Sequence, residues 1–159
     1  MRKPLSLYIH IPFCKSKCNY CAFTSFCLNE SEMFKFLTSL KTEIEFRSEQ
    51  YSGKYEITSI YIGGGTPSVL PNGAISDILD TIYKNFVVRN DAEVTIEANP
   101  SSLTQEKAKE YESAGINRVS MGLQAKQDKH LKVLGRLHTA ENFKASVELL
   151  HSVGITNIN

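Results

Sequence analysis

Leu5, Leu7, Ile9 and Ile11 alternate with Ser6, Tyr8 and His10, so Leu5 to Pro12 presents one apolar and one polar face and predicts a β-strand. From Ser31 to about Gln50 the period changes, and Phe34, Leu37, Leu40 and Ile44 fall on one side of a helix. Ile57 to Ile62 predicts a second strand, ended by Gly63-Gly64-Gly65. Ala74 to Phe86 predicts a second helix with Ile75, Ile78, Leu79, Ile82 and Phe86 on one side. Glu93 to Asn99 is a third strand, and Leu103 to Ala114 a third helix that Gly115 can end as a left-handed cap. Asn117 to Gln124 is a fourth strand. Thr139 to Val153 is a fourth helix, with Thr139 as N-cap and Gly154 just past its end. Ile155 to Asn159 reads as the start of a fifth strand.

Strand alternating with helix in this way predicts an α/β fold with a parallel sheet and right-handed crossovers. An open doubly wound sheet and a barrel share that alternation. Strands of a doubly wound sheet are buried on both faces. Here Val94, Ile96 and Ala98 oppose Glu93, Thr95, Glu97 and Asn99, and Val119, Met121 and Leu123 oppose Arg118, Ser120, Gly122 and Gln124. One-sided strands fit a (β/α) barrel of the TIM type whose apolar side meets helices and whose polar side lines a functional interior. Such folds place their sites at the carboxyl ends of the strands, here His10, Gly63 to Gly65, Glu97, Asn99 and Gln124. The expectation is a partial barrel, residues 1–159 forming the N-terminal part of one core domain, truncated in the fifth strand.

Composition adds little beyond exclusions. Hydrophobic residues make up 42% and charged ones 22%, as in an ordinary globular domain. Eighteen basic and seventeen acidic residues leave a net charge of +1 and no basic stripe, so nucleic acid is not an expected partner. No apolar run is long enough for a membrane span. Met1-Arg2-Lys3-Pro4 is basic but lacks the apolar segment and cleavage site of a signal peptide, so a cytoplasmic location is expected.

The chemistry lies in Cys14, Cys18 and Cys21, spaced C-x3-C-x2-C just after the first strand. Grouped cysteines in a reducing compartment are metal ligands more often than disulfides. A [4Fe–4S] cubane usually takes four cysteines. Three leave one iron open to the amine and carboxylate of a small molecule. Lys15 and Lys17 are expected to favour the thiolates and offset cluster charge. The alternative is a zinc site of these three cysteines with His10 or Cys27. Other bland readings stand beside the functional ones. Gly63 to Gly65 can simply turn the chain, Glu97 can pair with Arg118 or Arg136, Tyr8 can be packing, and His10 can be structural.

C-x3-C-x2-C with Tyr20 before the third cysteine resembles the signature of the radical S-adenosylmethionine enzymes. Tyr8-Ile9-His10-Ile11-Pro12-Phe13-Cys14, Gly63-Gly64-Gly65-Thr66-Pro67, Glu97-Ala98-Asn99-Pro100 and Gly135-Arg136-Leu137-His138 narrow the likeness to the anaerobic coproporphyrinogen III oxidase family. The resemblance runs from about Leu5 to Asn159. It implies that Cys14, Cys18 and Cys21 hold the cluster and that Tyr8 and Tyr20 sit against S-adenosylmethionine. It further implies that Gly64, Gly65 and Thr66 approach the methionyl end, and that Glu97, Gln124 and Arg136 contact its polar groups, Arg136 at the carboxylate. His138 has no assigned role beyond its motif.

The oxidase branch of that family carries a further cysteine two positions after the third, where this chain has Phe23. Phe23 with the Gly-Arg-Leu-His stretch resembles the other branch, the heme chaperones, which bind heme and pass it to an acceptor protein. The implied partners are heme or a porphyrin, an acceptor and an electron donor. The alternative is oxygen-independent oxidative decarboxylation of coproporphyrinogen III in porphyrin biosynthesis. One departure is Ala125-Lys126-Gln127-Asp128, where relatives of this branch commonly have Ser-Phe after the position of Gln124.

Overall fold

The computed structural model describes residues 2–159. Strand β1 (Lys3–Ile11) leads into a loop carrying two short strands, β2 (Phe13–Cys14) and β3 (Phe26–Cys27), and then helix α1 (Glu30–Tyr51). After these come β4 (Tyr55–Gly64), a 3-10 turn at Pro67–Val69, α2 (Ala74–Asn85), β5 (Val88–Ala98) and α3 (Gln105–Ser113). The chain continues through β6 (Arg118–Met121), α4 (Asp128–Val133) and α5 (Ala140–Ser152). The main sheet is parallel in the order β1-β4-β5-β6. The predicted fifth strand is represented by a single parallel bridge from Ile158 to Val119. Around it Val119 N–H donates to the Asn157 carbonyl at 3.0 Å, and Met121 N–H to the Asn159 carbonyl at 2.7 Å.

Local chemistry explains where the helices begin. The Asn29 side chain accepts from Glu32 N–H at 3.2 Å, and Glu30 and Glu32 place negative charge on the first turn of α1. Thr104 caps α3, which therefore starts two residues later than the apolar pattern suggests. Thr139 and Asn142 form a reciprocal capping box on α5, as the Thr139 reading expected. Helix α4 has one buried apolar side chain, Leu131, too little periodicity to register in the sequence. Strand β5 begins five residues before its predicted start, because Arg89-Asn90-Asp91 hides the strand behind a polar run.

Burial is one-sided. Ile9, Ile11, Ile60, Ile62, Val94, Ile96, Val119 and Met121 join one core with Ile78, Leu79, Ile82, Tyr111 and Leu150 from the helices. The opposite face is polar. Ser59 Oγ donates to Ser6 Oγ at 2.7 Å, and Arg118 pairs with Glu93 at 3.1 Å. A doubly wound sheet would bury both faces, so the arrangement is the barrel type, present here as four strands and the beginning of a fifth. A bulge explains why β4 shows no clean alternation. The register shifts between Leu5↔Ile57 and Ser6↔Ser59, so Thr58 is the extra residue and both Ile57 and Ile60 face the core. No helix among the described residues is long and apolar enough to cross a membrane.

Leu79 is fully buried under the sheet. Leu79→Ala should lower the free energy of unfolding by about 3 kcal/mol through lost burial and a residual cavity. Lys35→Ala, on the exposed side of α1, should change it by less than about 0.5 kcal/mol. Urea titrations of the two variants check this.

Candidate functional site

The cysteine loop is tied down along its length. Its two ends are joined by the β2–β3 pair, in which Phe26 N–H donates to the Pro12 carbonyl at 2.7 Å and Leu28 N–H to the Cys14 carbonyl at 2.9 Å. Lys17 sits inside the loop, and its ammonium donates to the Phe23 carbonyl at 2.9 Å and the Ser25 carbonyl at 3.3 Å. A third contact, to Ser25 Oγ, is 3.4 Å long. These bonds give Lys17 a part in folding the loop, and its positive charge still borders the cavity that the three cysteines line. On the other side, Asn19 N–H donates to the Leu134 carbonyl at 3.1 Å and Asn19 Nδ2 to the Val133 carbonyl at 2.8 Å. Cys14, Cys18 and Cys21 are partly buried and Cys27 is exposed.

A cavity of about 250 Å³ opens at the carboxyl ends of the strands, and Cys14, Cys18 and Cys21 all border it. Tyr20, Gly64, Gly65, Thr66, Glu97, Gln124 and Arg136 border the same cavity. Ten of the eleven residues singled out from the sequence thus meet in one place. Among the described residues, no three His, Cys, Asp or Glu side chains gather closely enough to hold a single metal ion. The partners weighed for a zinc ion have other positions. His10 bonds the Tyr8 hydroxyl through Nδ1 at 2.9 Å and the Thr24 carbonyl through Nε2 at 2.9 Å, and Cys27 lies across the β2–β3 pair from Cys14.

Tyr8 is the exception. It lies outside the cavity lining, its ring stacked on Tyr61 with centroids 6.1 Å apart. Tyr61 is a residue the sequence reading missed. Its hydroxyl donates to Glu97 Oε1 at 2.7 Å, while Gly64 N–H donates to Glu97 Oε2 at 3.0 Å. Glu97 is thus held by strand β4, and the bland pairing with Arg118 is absent because Arg118 binds Glu93. Burial, then the Glu97 acceptor, pushes the Tyr61 hydroxyl up, so it remains a donor. Gly64 has φ of 112°, and a Cβ there would lie 2.5 Å from the His10 ring, so only glycine lets the strand end approach both His10 and Glu97. Thr66 Oγ1 reaches Cys14 Sγ at 3.5 Å.

Arg136 reaches the cavity from the loop between α4 and α5. Its Nη2 donates to the Gly122 carbonyl at 3.0 Å, its Nε to His138 Nδ1 at 3.3 Å, and its Nη1 approaches Cys18 Sγ at 3.8 Å. His138 is 2% exposed, and its Nε2 meets the Leu123 carbonyl at 3.2 Å. Burial raises the Tyr20 hydroxyl pKa, with Arg136 opposing and Cys18 reinforcing that shift. Gln124 takes a left-handed backbone, φ 65°, rare for a residue with a side chain and consistent with a site position.

Residues 8–159 match the Radical SAM superfamily. The chain is 38% identical over 157 residues to "Heme chaperone HemW" of Escherichia coli (strain K12), covering 98% of this chain and 41% of that protein. It is 34% identical to "Heme chaperone HemW" of Bacillus subtilis (strain 168), covering 97% of this chain and 41% of that one. The solved structure described as "Coproporphyrinogen III oxidase (HemN) from Escherichia coli is a Radical SAM enzyme" superposes with a TM-score of 0.92 at 30% identity, covering 99% of this chain and 36% of that chain. The chain therefore spans about two-fifths of the length of the curated relatives it matches. The superfamily implies a [4Fe–4S] cluster and S-adenosylmethionine as cofactors. The residues present suit them: three partly buried thiols beside a glycine cradle that a Cβ would fill.

Lys17→Met should remove the ammonium that ties Phe23 and Ser25 to the loop. Amide exchange across residues 22–27 should rise about tenfold, the loss expected for a charged hydrogen-bond donor. Exchange in β4 should not change. Hydrogen exchange read by mass spectrometry on the two proteins checks both statements.

Proposed function

The chain belongs to the radical SAM superfamily, and from that premise we propose that it is the front portion of a barrel that serves as a heme chaperone. It binds a [4Fe–4S] cluster, S-adenosylmethionine and heme, and passes heme to an acceptor protein. Cys14, Cys18 and Cys21 would ligate three irons of the cluster. The fourth iron would be left for the amine and carboxylate of S-adenosylmethionine. Bound together, the two groups supply one-electron chemistry, fed by an electron donor.

The chain's own residues divide the remaining work. Arg136 is placed to receive the carboxylate through its guanidinium, a geometry suited to two parallel hydrogen bonds. Gly64 and Gly65 admit the ligand close to the backbone, with Thr66 beside Cys14. Glu97, held by Tyr61 and Gly64 N–H, offers acceptor oxygens to the ligand's polar groups, and Gln124 offers an amide. Tyr20 closes the cavity beside Cys18. Tyr8, exposed on the same polar face and stacked on Tyr61, would sit against S-adenosylmethionine beyond the cavity lining.

Phe23 is the observation that carries the choice of chaperone. It borders the same cavity and is 65% exposed, at the position where the oxidase branch has its further cysteine. The relatives named heme chaperones support the same reading. A second reading, coproporphyrinogen III oxidation, is favoured by the close superposition on the HemN structure.

Anaerobic reconstitution with iron and sulfide, reduction, and EPR with and without S-adenosylmethionine test the cofactor assignment. A reduced-cluster signal that changes on adding S-adenosylmethionine is expected. Cys18→Ala should abolish the cluster, whereas Cys27→Ala should keep the full iron and sulfide complement. Arg136→Ala should keep the cluster and bind S-adenosylmethionine about tenfold or more weakly, the loss of a charge-assisted pair. With coproporphyrinogen III no vinyl product should form, and added heme should be retained and then transferred to an apo-acceptor. Vinyl product would overturn the chaperone reading in favour of the oxidase.

A further inference from the structure

The Gly-Arg-Leu-His stretch leaves His138 without a task in the proposed function, although it is among the few polar side chains buried in the chain. Its surroundings fix its chemistry. Arg136 can only donate, so His138 Nδ1 must present a lone pair to Arg136 Nε, 3.3 Å away. The Leu123 carbonyl can only accept, so Nε2, 3.2 Å away, must carry the proton. The two contacts together require the neutral Nε2–H tautomer.

We propose that His138 is the positioning residue for Arg136, bridging its guanidinium to the Leu123 carbonyl so that the Nη edge faces the cysteine loop and the anionic group bound there. This rests on the reading of Arg136 as the carboxylate contact. Two anchors are needed to orient a planar guanidinium. The Gly122 carbonyl holds Nη2 at 3.0 Å and His138 holds Nε, which leaves Nη1 directed to Cys18 Sγ at 3.8 Å. Without His138, rotation about the side-chain bonds would sweep the fork away from the cavity. Protonation would have the same effect, by putting an N–H at Nδ1 against the Arg136 N–H. The charged groups facing His138 are Arg136 on its own loop and Asp128 at the start of α4. Burial first, then the charge of Arg136, pulls the His138 pKa below its ordinary value, while the Leu123 bond and Asp128 act in the opposite direction. The imidazole is therefore neutral at neutral pH. The positioning bond is present there and is lost as acidification protonates the ring, below the ordinary imidazole range of about 6.5.

The test compares wild type, His138→Leu and His138→Gln, reconstituted anaerobically, with circular dichroism and iron and sulfide content confirming equivalent fold and cluster. S-adenosylmethionine affinity is read from the EPR change at pH 7.5 and at successively lower pH, down to the lowest at which the iron and sulfide content is retained. His138→Leu should bind about tenfold more weakly at pH 7.5, the loss of a hydrogen bond to a charged group. His138→Gln, which can accept from Arg136 and donate to Leu123, should return to within about threefold of wild type. Wild-type affinity should fall on acidification and that of His138→Gln should fall less. In the chain without cluster, the ring ¹⁵N shifts of His138 should report the Nε2–H tautomer. Equal affinity of His138→Leu and wild type, a glutamine variant no better than leucine, or an Nδ1–H tautomer would each overturn the positioning role alone. A wild-type chain that assembles the cluster yet leaves its EPR signal indifferent to S-adenosylmethionine removes the carboxylate reading of Arg136, and this inference with it.

Discussion

The parallel register of β1, β4 and β5 with every aliphatic side chain on one face is the constraint on which the rest depends. Parallel strands carry their side chains in step, so neighbours at one level share a face. His10 is level with Gly63, Tyr8 with Tyr61, and Tyr61 with Thr95. Burying Ile9, Ile60, Ile62, Val94 and Ile96 under the helices therefore commits Tyr8, His10, Tyr61 and Glu97 to the other face without further instruction. A slip of one residue would exchange the two sets. The bulge at Thr58 keeps β4 in step with β1 over the last turns before the site.

That constraint brings the strand ends together but leaves the cysteines to a loop, and the loop has its own restraints. Lys17 folds it from inside, the β2–β3 pair closes its base, and Asn19 joins it to the chain at Val133 and Leu134. The last tie makes sense of the glycine in Gly-Arg-Leu-His. Gly135 has φ of 72°, and a Cβ there would meet Asn19 Oδ1 at 3.1 Å. A side chain at that position would strain the backbone and press on the Asn19 contact. The motif thus delivers Arg136 to the cavity and holds the cysteine loop in the same few residues.

The strand–helix order and the polar strand faces could be read from the sequence because they are periodic, and periodicity survives without tertiary knowledge. Glu97 and Gln124 were found that way. Short and aperiodic features were not. Helix α4 offers Leu131 as its one buried side chain, and β5 hides its first residues behind Arg89-Asn90-Asp91. Tyr61 could have been found, since it falls in step with Ser59 and Gly63 opposite the core isoleucines, but the bulge masked the alternation of its strand. The loop bonds of Lys17 were hidden for a different reason. Proximity to cysteines in sequence says where a lysine starts, and its flexible stem decides where the ammonium ends.

The electrostatics of the site follow from the same distinction between where a residue sits and what its charged end can reach. Lys17 and Arg136 both border the cavity, but the Lys17 ammonium is turned to the Phe23 and Ser25 carbonyls, whereas Arg136 Nη1 approaches Cys18. Glu97, on β5, is held by Tyr61 and by a backbone N–H of β4 rather than by a cation. An arginine and a carboxylate bordering one cavity, each held by its own partners, would suit a ligand bearing both a carboxylate and a cationic centre. A zwitterion is bound well by such a pair only if each charge is kept from neutralising the other, and here Tyr61 and His138 keep Glu97 and Arg136 on separate partners. For the function proposed, discrimination in favour of an amino-acid head would rest as much on these two supporting side chains as on the two charges they hold.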